Sequence, residues 1–131
     1  MTGDHGLVMP FVRLCGIAIT SATAGEVKGT LTWREDLCTS AGVVHGGALM
    51  TFADSLGALC AFLNLPEGAT TATIESKTNF FRPVSKGTVH ATTTPLHVGR
   101  ATIVAQTDLR DDAGKRVALV TQTQAVITRT T

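Results

Sequence analysis

Residues 43–65 read VVHGGALMTFADSLGALCAFLNL, a long apolar run that opens on His-Gly-Gly and carries one charged residue, Asp54. Apolar and small side chains fall on every face of an ideal helix over residues 48–63, which is typical of a helix buried all round. Pro66 follows the run and predicts that the helix ends near Asn64. We therefore expect a central buried helix with a β-sheet wrapped around it.

The length of this run also raises the question of a membrane span. Asp54 lies near its middle, where a charge costs roughly 2.5 to 3.5 kcal/mol on insertion scales. Thr51, Ser55 and Asn64 add polar groups to the same segment. The sequence therefore predicts a core helix and no membrane partner.

The overall composition suits a single domain. The chain has 131 residues and a net charge of +1, and its basic residues are scattered, so we expect no nucleic-acid partner. Only 16% of the residues are charged. This leaves little charge to cover a small monomer and indicates that part of the surface is an interface between copies of the chain.

The cysteines and the N-terminus indicate the compartment. Cys15, Cys38 and Cys60 are odd in number and form no Cys-x-x-Cys pair, so we expect reduced thiols. Cys60 lies in apolar surroundings and is interpreted as a core residue rather than a nucleophile. No export signal is visible at the N-terminus. The expected location is the cytoplasm.

Alternating apolar residues predict an antiparallel sheet around the helix. One strand precedes the helix, at residues 26–33, and residues 11–19 form either a short helix or a first strand. After the helix we predict strands at 72–82, 88–97, 101–109 and 117–128, joined as a meander by turns at 86–87, 99 and 111–115. The class is α+β in one domain, residues 1–131, with residues 1–10 as a flexible lead.

Two features of the run could carry chemistry. His45, Gly46 and Gly47 stand where the first backbone N–H groups of a helix have no intrahelical partner, and such a donor can bind an oxyanion. The glycines could instead only allow close packing. Asp54 lies seven residues after Gly47, about 10 Å along a helix, which is too far for both to hold one small group within one chain.

A dimer with antiparallel helices would resolve this separation, since it would bring Asp54 of one chain to the His-Gly-Gly end of the other. The alternative is a buried Asp54 that is hydrogen-bonded to backbone or to threonine hydroxyls. His45 could bind a ligand, orient the loop, cap the helix, or simply be satisfied by backbone. His5, His90 and His97 lack the spacing of a zinc site, so no metal is expected.

Residues 44–55, VHGGALMTFADS, followed by TIESKTNFFRPVSKG and by Gly99-Arg100, resemble the hotdog-fold acyl-CoA thioesterases of the phenylacetate-pathway (PaaI-like) group. The resemblance covers about residues 25–128. Its central motif is His-Gly-Gly with an acidic residue seven positions after the second glycine, joined to a Phe-x-Arg-Pro strand end. The family implies a helix wrapped by five or six antiparallel strands, with homodimers or homotetramers whose active sites lie at the dimer interface.

The resemblance also implies roles for individual residues. Asp54 would be the general base or nucleophile toward the thioester, and the N–H of Gly46 would polarise its carbonyl, with His45 and Gly47 shaping the same turn. Thr73 would position water or the carboxylate. One departure is Thr39, which stands where family members often carry asparagine. Its hydroxyl could hold a water, but it lacks the paired donor and acceptor groups of an amide.

The sequence therefore predicts a thioesterase that hydrolyses an acyl- or aryl-CoA without a further cofactor. The alternatives are a non-catalytic acyl-CoA-binding module and a hotdog hydratase or dehydratase. The candidates to contact the coenzyme A phosphates are Arg82, Lys86 and Arg100. The residues that could line the acyl pocket are Met50, Phe52, Phe62, Phe80 and Phe81.

Overall fold

The computed structural model describes residues 9–128, in which one long helix packs against a six-stranded antiparallel sheet. Its elements are α1 (Pro10–Cys15), β1 (Ala18–Ala22), β2 (Val27–Thr32), a 3-10 turn (Glu35–Leu37), α2 (Gly46–Leu63), β3 (Thr70–Phe80), β4 (Thr88–Val98), β5 (Thr102–Arg110) and β6 (Arg116–Ile127). The strand order is β1-β2-β4-β5-β6-β3. The predicted class, a long helix wrapped by an antiparallel sheet, is confirmed.

Within one chain the sheet covers only one side of α2. Phe52, Ala53 and Leu56 are fully buried, whereas Met50 and Phe62 are 38% and 46% exposed. The prediction of burial on every face is therefore wrong for a single chain. Six of the exposed and half-buried residues of α2 follow helical spacing, and we call them the open stripe: Gly47, Met50, Thr51, Asp54, Ala58 and Phe62.

By length and composition α2 would also suit a membrane span, with a mean hydropathy of 1.5. It packs, however, against all six strands of the sheet. Its large apolar side chains fill the core between helix and sheet, as those of Phe52, Leu56 and Leu59 show. The apolar composition is therefore explained by packing within the fold.

The neighbours of β3 differ from those that the sequence predicted. β4, β5 and β6 form the expected meander, but β3 pairs with β6 at one end of the sheet, and β4 lies between β2 and β5. The turn predicted at Lys86-Gly87 is therefore not a hairpin, because residues 81–87 cross between two strands that are not paired. Alternation identifies a strand, but it does not specify the strand beside it.

The N-terminal segment contains both structures that the sequence left open. Pro10–Cys15 is a short helix that ends at Gly16, whose φ of 77° lies in the left-handed region. Ala18–Ala22 then forms a strand that pairs with β2. The flexible lead predicted for residues 1–10 falls almost entirely outside the described residues.

One carboxylate on the outer face of the sheet makes folding stability depend on pH. Asp108 accepts hydrogen bonds from Arg110 Nε at 2.9 Å and Arg116 Nε at 3.0 Å. Partial burial raises the pKa of Asp108, but the hydrogen bonds and charges of the two guanidinium groups outweigh burial and leave this pKa below its usual value. The folded state is therefore stabilised when Asp108 is ionised.

We expect Asp108→Asn to lower the free energy of unfolding at pH 7 by roughly 0.5 to 1 kcal/mol. Because the folded-state pKa is lowered, this stabilisation is complete above the unfolded pKa of about 4 and disappears as the pH falls through the folded value. Urea unfolding at pH 7 and near pH 2 measures the difference. Glu67→Gln, at an exposed carboxylate that forms no ion pair within residues 9–128, is the control. An equal cost of Asp108→Asn at both pH values would contradict the assignment.

Candidate active site

The N-terminus of α2 presents a backbone donor. His45 is the N-cap, and its Nδ1 accepts the N–H of Gly47 at 2.8 Å, so the hydrogen of the neutral ring lies on Nε2. The backbone oxygen of His45 accepts from Ala48. Among the described residues, the N–H of Gly46 has no acceptor. This N–H is available to a ligand at the positive end of the helix dipole.

An aromatic ring lies beside this donor. A Cβ added at Gly46 would stand 3.1 Å from the ring of Phe80, which is the last residue of β3 and is 51% exposed. Glycine therefore lets the ring approach the helix terminus closely. The neighbouring Phe81 is 59% exposed as well. A group bound at the Gly46 N–H would lie against an apolar surface.

The carboxylate of Asp54 is held on one side. Its Oδ1 accepts hydrogen bonds from Thr73 Oγ1 at 2.9 Å and from Gln122 Nε2 at 3.0 Å. Both donors are neutral, and within residues 9–128 Asp54 forms no ion pair. Its Oδ2 receives no hydrogen bond from this part of the chain. The arrangement orients the carboxylate without neutralising it and leaves one oxygen to react.

A β-bulge brings Thr73 to Asp54. Thr73 pairs with Gln124 and Ser76 pairs with Gln122, so Thr73 and Ser76 face the helix although they are three positions apart. Ile74 is the extra residue. Simple alternation would have placed Thr73 on the outer face beside Glu75. Ser76, Thr78 and Phe80 pair with buried residues of β6 and share its inner face, whereas Ile74 does not share this face and is 59% exposed.

Sequence reasoning missed Gln122 and Gln124, which form a hydrogen-bonded network with Asp54. Both are buried on the inner face of β6, where they continue the apolar positions Ala118 and Val120. Gln122 Nε2 also donates to Gln124 Oε1 at 2.9 Å. The sequence did contain a signal for them. Gln122 and Gln124 occupy positions of β6 where the alternation predicts apolar residues, and buried amides need hydrogen-bond partners.

The two predicted halves of the site are not brought together in one chain. Gly46 and Asp54 are eight residues apart on α2, which is about 12 Å along the helix. His45, Gly46 and Gly47 cluster at the helix N-terminus, and Thr73 joins Asp54. One small group therefore cannot contact both the Gly46 N–H and the Asp54 carboxylate of the same chain.

The predicted substrate-binding cations are dispersed as well. Lys86 precedes β4 and Arg100 follows it, so an eleven-residue strand, about 33 Å long, separates them. Lys86 lines a cleft with Asp111 and Asp112, whose carboxylates disfavour a phosphate. Arg82 is exposed just beyond β3. Within one chain these three cations do not form a single phosphate site.

The remaining candidates divide into core and surface. Phe52 is fully buried under the sheet, so its predicted place in a ligand pocket is wrong, while Met50, Phe62, Phe80 and Phe81 remain exposed.

The Thr39 hydroxyl accepts the N–H of Ala41 at 3.2 Å. Cys60 is fully buried, as predicted, and burial raises the pKa of its thiol to about 11. Such a thiol is a poor nucleophile at neutral pH.

Known proteins resemble this chain in both sequence and structure. The family model of the thioesterase superfamily matches residues 41–118. The proofreading thioesterase EntH of Klebsiella pneumoniae is 31% identical over 101 residues, which are 77% of this chain and 74% of that protein.

Two solved structures show the same architecture. A Haemophilus influenzae thioesterase of enzyme class 3.1.2 is 31% identical with a TM-score of 0.86, and the match covers 90% of this chain and 82% of the other. A conserved Pseudomonas aeruginosa protein is 27% identical with a TM-score of 0.88, and covers 95% and 98% of the two chains.

Proposed function

Because this chain belongs to the thioesterase superfamily and is a thioester hydrolase of the hotdog fold, we propose that its substrate is an acyl- or aryl-CoA and that two protomers share each active site. The observation that carries the proposal is the arrangement on α2. A free backbone donor lies at the N-terminus of the helix and a hydrogen-bonded carboxylate lies on the open stripe, yet the two are too far apart within one chain to act on one thioester.

The free edge of the sheet supports a dimer. β3 is eleven residues long and pairs on one side only within the described chain. Exposed Ile74, Phe80 and Phe81 accompany this edge. An exposed strand edge with apolar side chains is a site for pairing with another strand. Two β3 strands that pair across a twofold axis would continue the sheet and bring the open stripes of the two helices together.

In the shared site, the Gly46 N–H of one protomer holds the thioester oxygen and Asp54 of the other acts at the carbonyl carbon. As a general base, Asp54 takes a proton from water while the water oxygen attacks. The tetrahedral intermediate then expels the coenzyme A sulfur, which leaves as the thiol after protonation. Direct attack by Asp54 Oδ2 gives the same products through an acyl-enzyme that water cleaves.

Membership of a hydrolase family favours hydrolysis over the hydratase and the non-catalytic binding module. The PaaI-like subgroup, a homotetramer and a cytoplasmic location stay predictions from the sequence. The same is true of the expectation that no metal, further cofactor, nucleic acid or membrane takes part. The acyl group is to be found with a panel of aliphatic and aryl-CoA substrates.

A complementation experiment tests the shared site. Asp54→Asn and Gly46→Pro chains, each expected to be at least about 100-fold less active alone, are coexpressed with different affinity tags, and the mixed dimer is purified through both tags. One of its two sites then contains both defects and the other contains neither. We expect about half of the wild-type rate per dimer on the best substrate of the panel. A mixed dimer as inactive as its parents would contradict a shared site, and mixed wild-type chains with the two tags are the control.

A further inference from the structure

We propose that Gln122 is the residue that positions the catalytic carboxylate, with its carboxamide lying in a space that Gly57 leaves open. This inference rests on the proposed role of Asp54. Gln122 lies on β6, sixty-eight residues after Asp54 in the chain, and its side chain is fully buried. It does not face the open stripe, so it is a positioning residue and does not touch substrate.

The number of hydrogens on each donor shows that Gln122 can donate to Asp54 at all times, whereas Thr73 cannot. The hydroxyl of Thr73 lies 2.9 Å from Asp54 Oδ1 and 2.6 Å from Gln124 Oε1, but it has one hydrogen and can donate to only one of them at a time. Gln122 Nε2 has two hydrogens and lies 3.0 Å from Asp54 Oδ1 and 2.9 Å from Gln124 Oε1. It can donate to both acceptors at once.

The network around Gln122 fixes the orientation of its amide. Gln124 Nε2 donates to Thr71 Oγ1 at 3.1 Å, and the Thr71 hydroxyl donates to the backbone oxygen of Ala125 at 2.7 Å. Gln124 therefore presents its Oε1 to Gln122. A flipped Gln122 amide would place its oxygen against Gln124 Oε1 and Asp54 Oδ1 together, which is repulsive. The Nε2 of Gln122 thus stays on the carboxylate.

Gly57 is the second and independent observation. It lies on α2 one turn after Asp54 and is buried, and a Cβ built on it would overlap the carboxamide of Gln122. The helix therefore lacks a side chain at the one point where this amide lies. The Oε1 of Gln122 is buried with no partner among the described residues, which costs stability. An apolar residue of similar size would avoid that cost, so packing alone does not explain the amide.

Gln122→Met tests the proposal, since methionine keeps the length of the side chain and removes both hydrogens. We expect kcat to fall about 10- to 100-fold because a misplaced reacting group lowers the rate by this order, with KM within about threefold. The melting temperature should stay close to that of wild type, because the change removes the unpartnered Oε1 of Gln122 but leaves either Asp54 Oδ1 or Gln124 Oε1 without a donor. A residue with a purely structural role would give the opposite pattern, a lower melting temperature with little change in kcat.

The matched control is Gln106→Met, the same change on β5 at a half-buried amide that pairs with Thr94 and Thr121 on the outer face. A kcat for Gln122→Met within twofold of this control would overturn the proposal. A second arm uses Gly57→Ala, which displaces the carboxamide. Gly57→Ala should lower kcat when it is made in the wild-type chain. It should not lower kcat further when it is made in a Gln122→Ala chain, because the shorter side chain leaves space for the new methyl group. Equal kcat losses in both backgrounds would also overturn it.

A structural readout separates this inference from the proposed function. If the wild-type chain hydrolyses no thioester in the panel, the proposed function fails, but crystal structures of wild type and Gln122→Met still test the positioning role. We expect a single Asp54 carboxylate orientation in wild type and a second orientation in the variant. The same single orientation in both proteins would overturn the role of Gln122 whatever the activity.

Discussion

Replacement of Asp54 by Asn is expected to lower kcat for thioester hydrolysis by about 10²- to 10⁴-fold, the range that a positioned base contributes. The amide has nearly the same shape as the carboxylate and can still accept from Thr73 and Gln122 through its oxygen. Its nitrogen cannot take a proton from water or attack a carbonyl carbon. Steady-state hydrolysis of the best acyl-CoA of the panel measures the effect, and Asp54→Ala should give a loss of similar size.

Asp108→Asn is the matched control for this change, because it removes a carboxylate from the outer face of β5 and should leave kcat unchanged. Binding provides a second control. Calorimetry with a non-hydrolysable CoA analogue should give similar affinities for wild type and Asp54→Asn, since the carboxylate acts on the reaction and not on the coenzyme. An Asp54→Asn enzyme that keeps more than a tenth of wild-type kcat would remove Asp54 from the mechanism.

Gly46→Pro is expected to lower kcat/KM about 10²- to 10³-fold relative to Gly46→Ala, the typical effect of losing one oxyanion donor. Proline deletes the backbone N–H that we assign to the thioester oxygen. The helix should tolerate it, because Gly46 is the first helical residue and proline is favoured there. His45, with φ of −61° and ψ of 137°, already has the extended conformation required before a proline.

Gly46→Ala makes this comparison specific. Both variants place a Cβ about as close to the Phe80 ring as the built one at 3.1 Å, so the steric effect of this Cβ is common to the two. Only the proline variant lacks the N–H. Circular dichroism checks that both retain the helix. Equal kcat/KM values for the alanine and proline variants would show that the Gly46 N–H does not contact the transition state.

Local sequence patterns were sufficient to predict α2 and most of the strands. Residues 48–63 and Pro66 placed the helix within two residues of its observed bounds, Gly46–Leu63. Asp54 and the His-Gly-Gly turn also follow from the sequence, because a lone charge and paired glycines stand out in an apolar run. Thr73 was identified only through the family resemblance.

Features that depend on strand neighbours were not predictable in the same way. The pairing of β3 with β6 brings Thr73, Gln122 and Gln124 beside Asp54, but alternation in β3 is equally compatible with β4 as its neighbour. The bulge at Ile74 reverses the face expected for Thr73. Burial on every side of α2 was wrong for one chain because the sheet covers half of the helix, while the composition of the helix suits a second protein surface.

The close approach of Gly57 to Gln122 limits how these two positions can change during evolution. A lineage that acquires a side chain at position 57 must first shorten or reorient residue 122, since the carboxamide already occupies that volume. Single substitutions at either position lose packing or a donor to Asp54. We therefore expect glycine at position 57 and glutamine at position 122 to change together, although they are sixty-five positions apart in the chain.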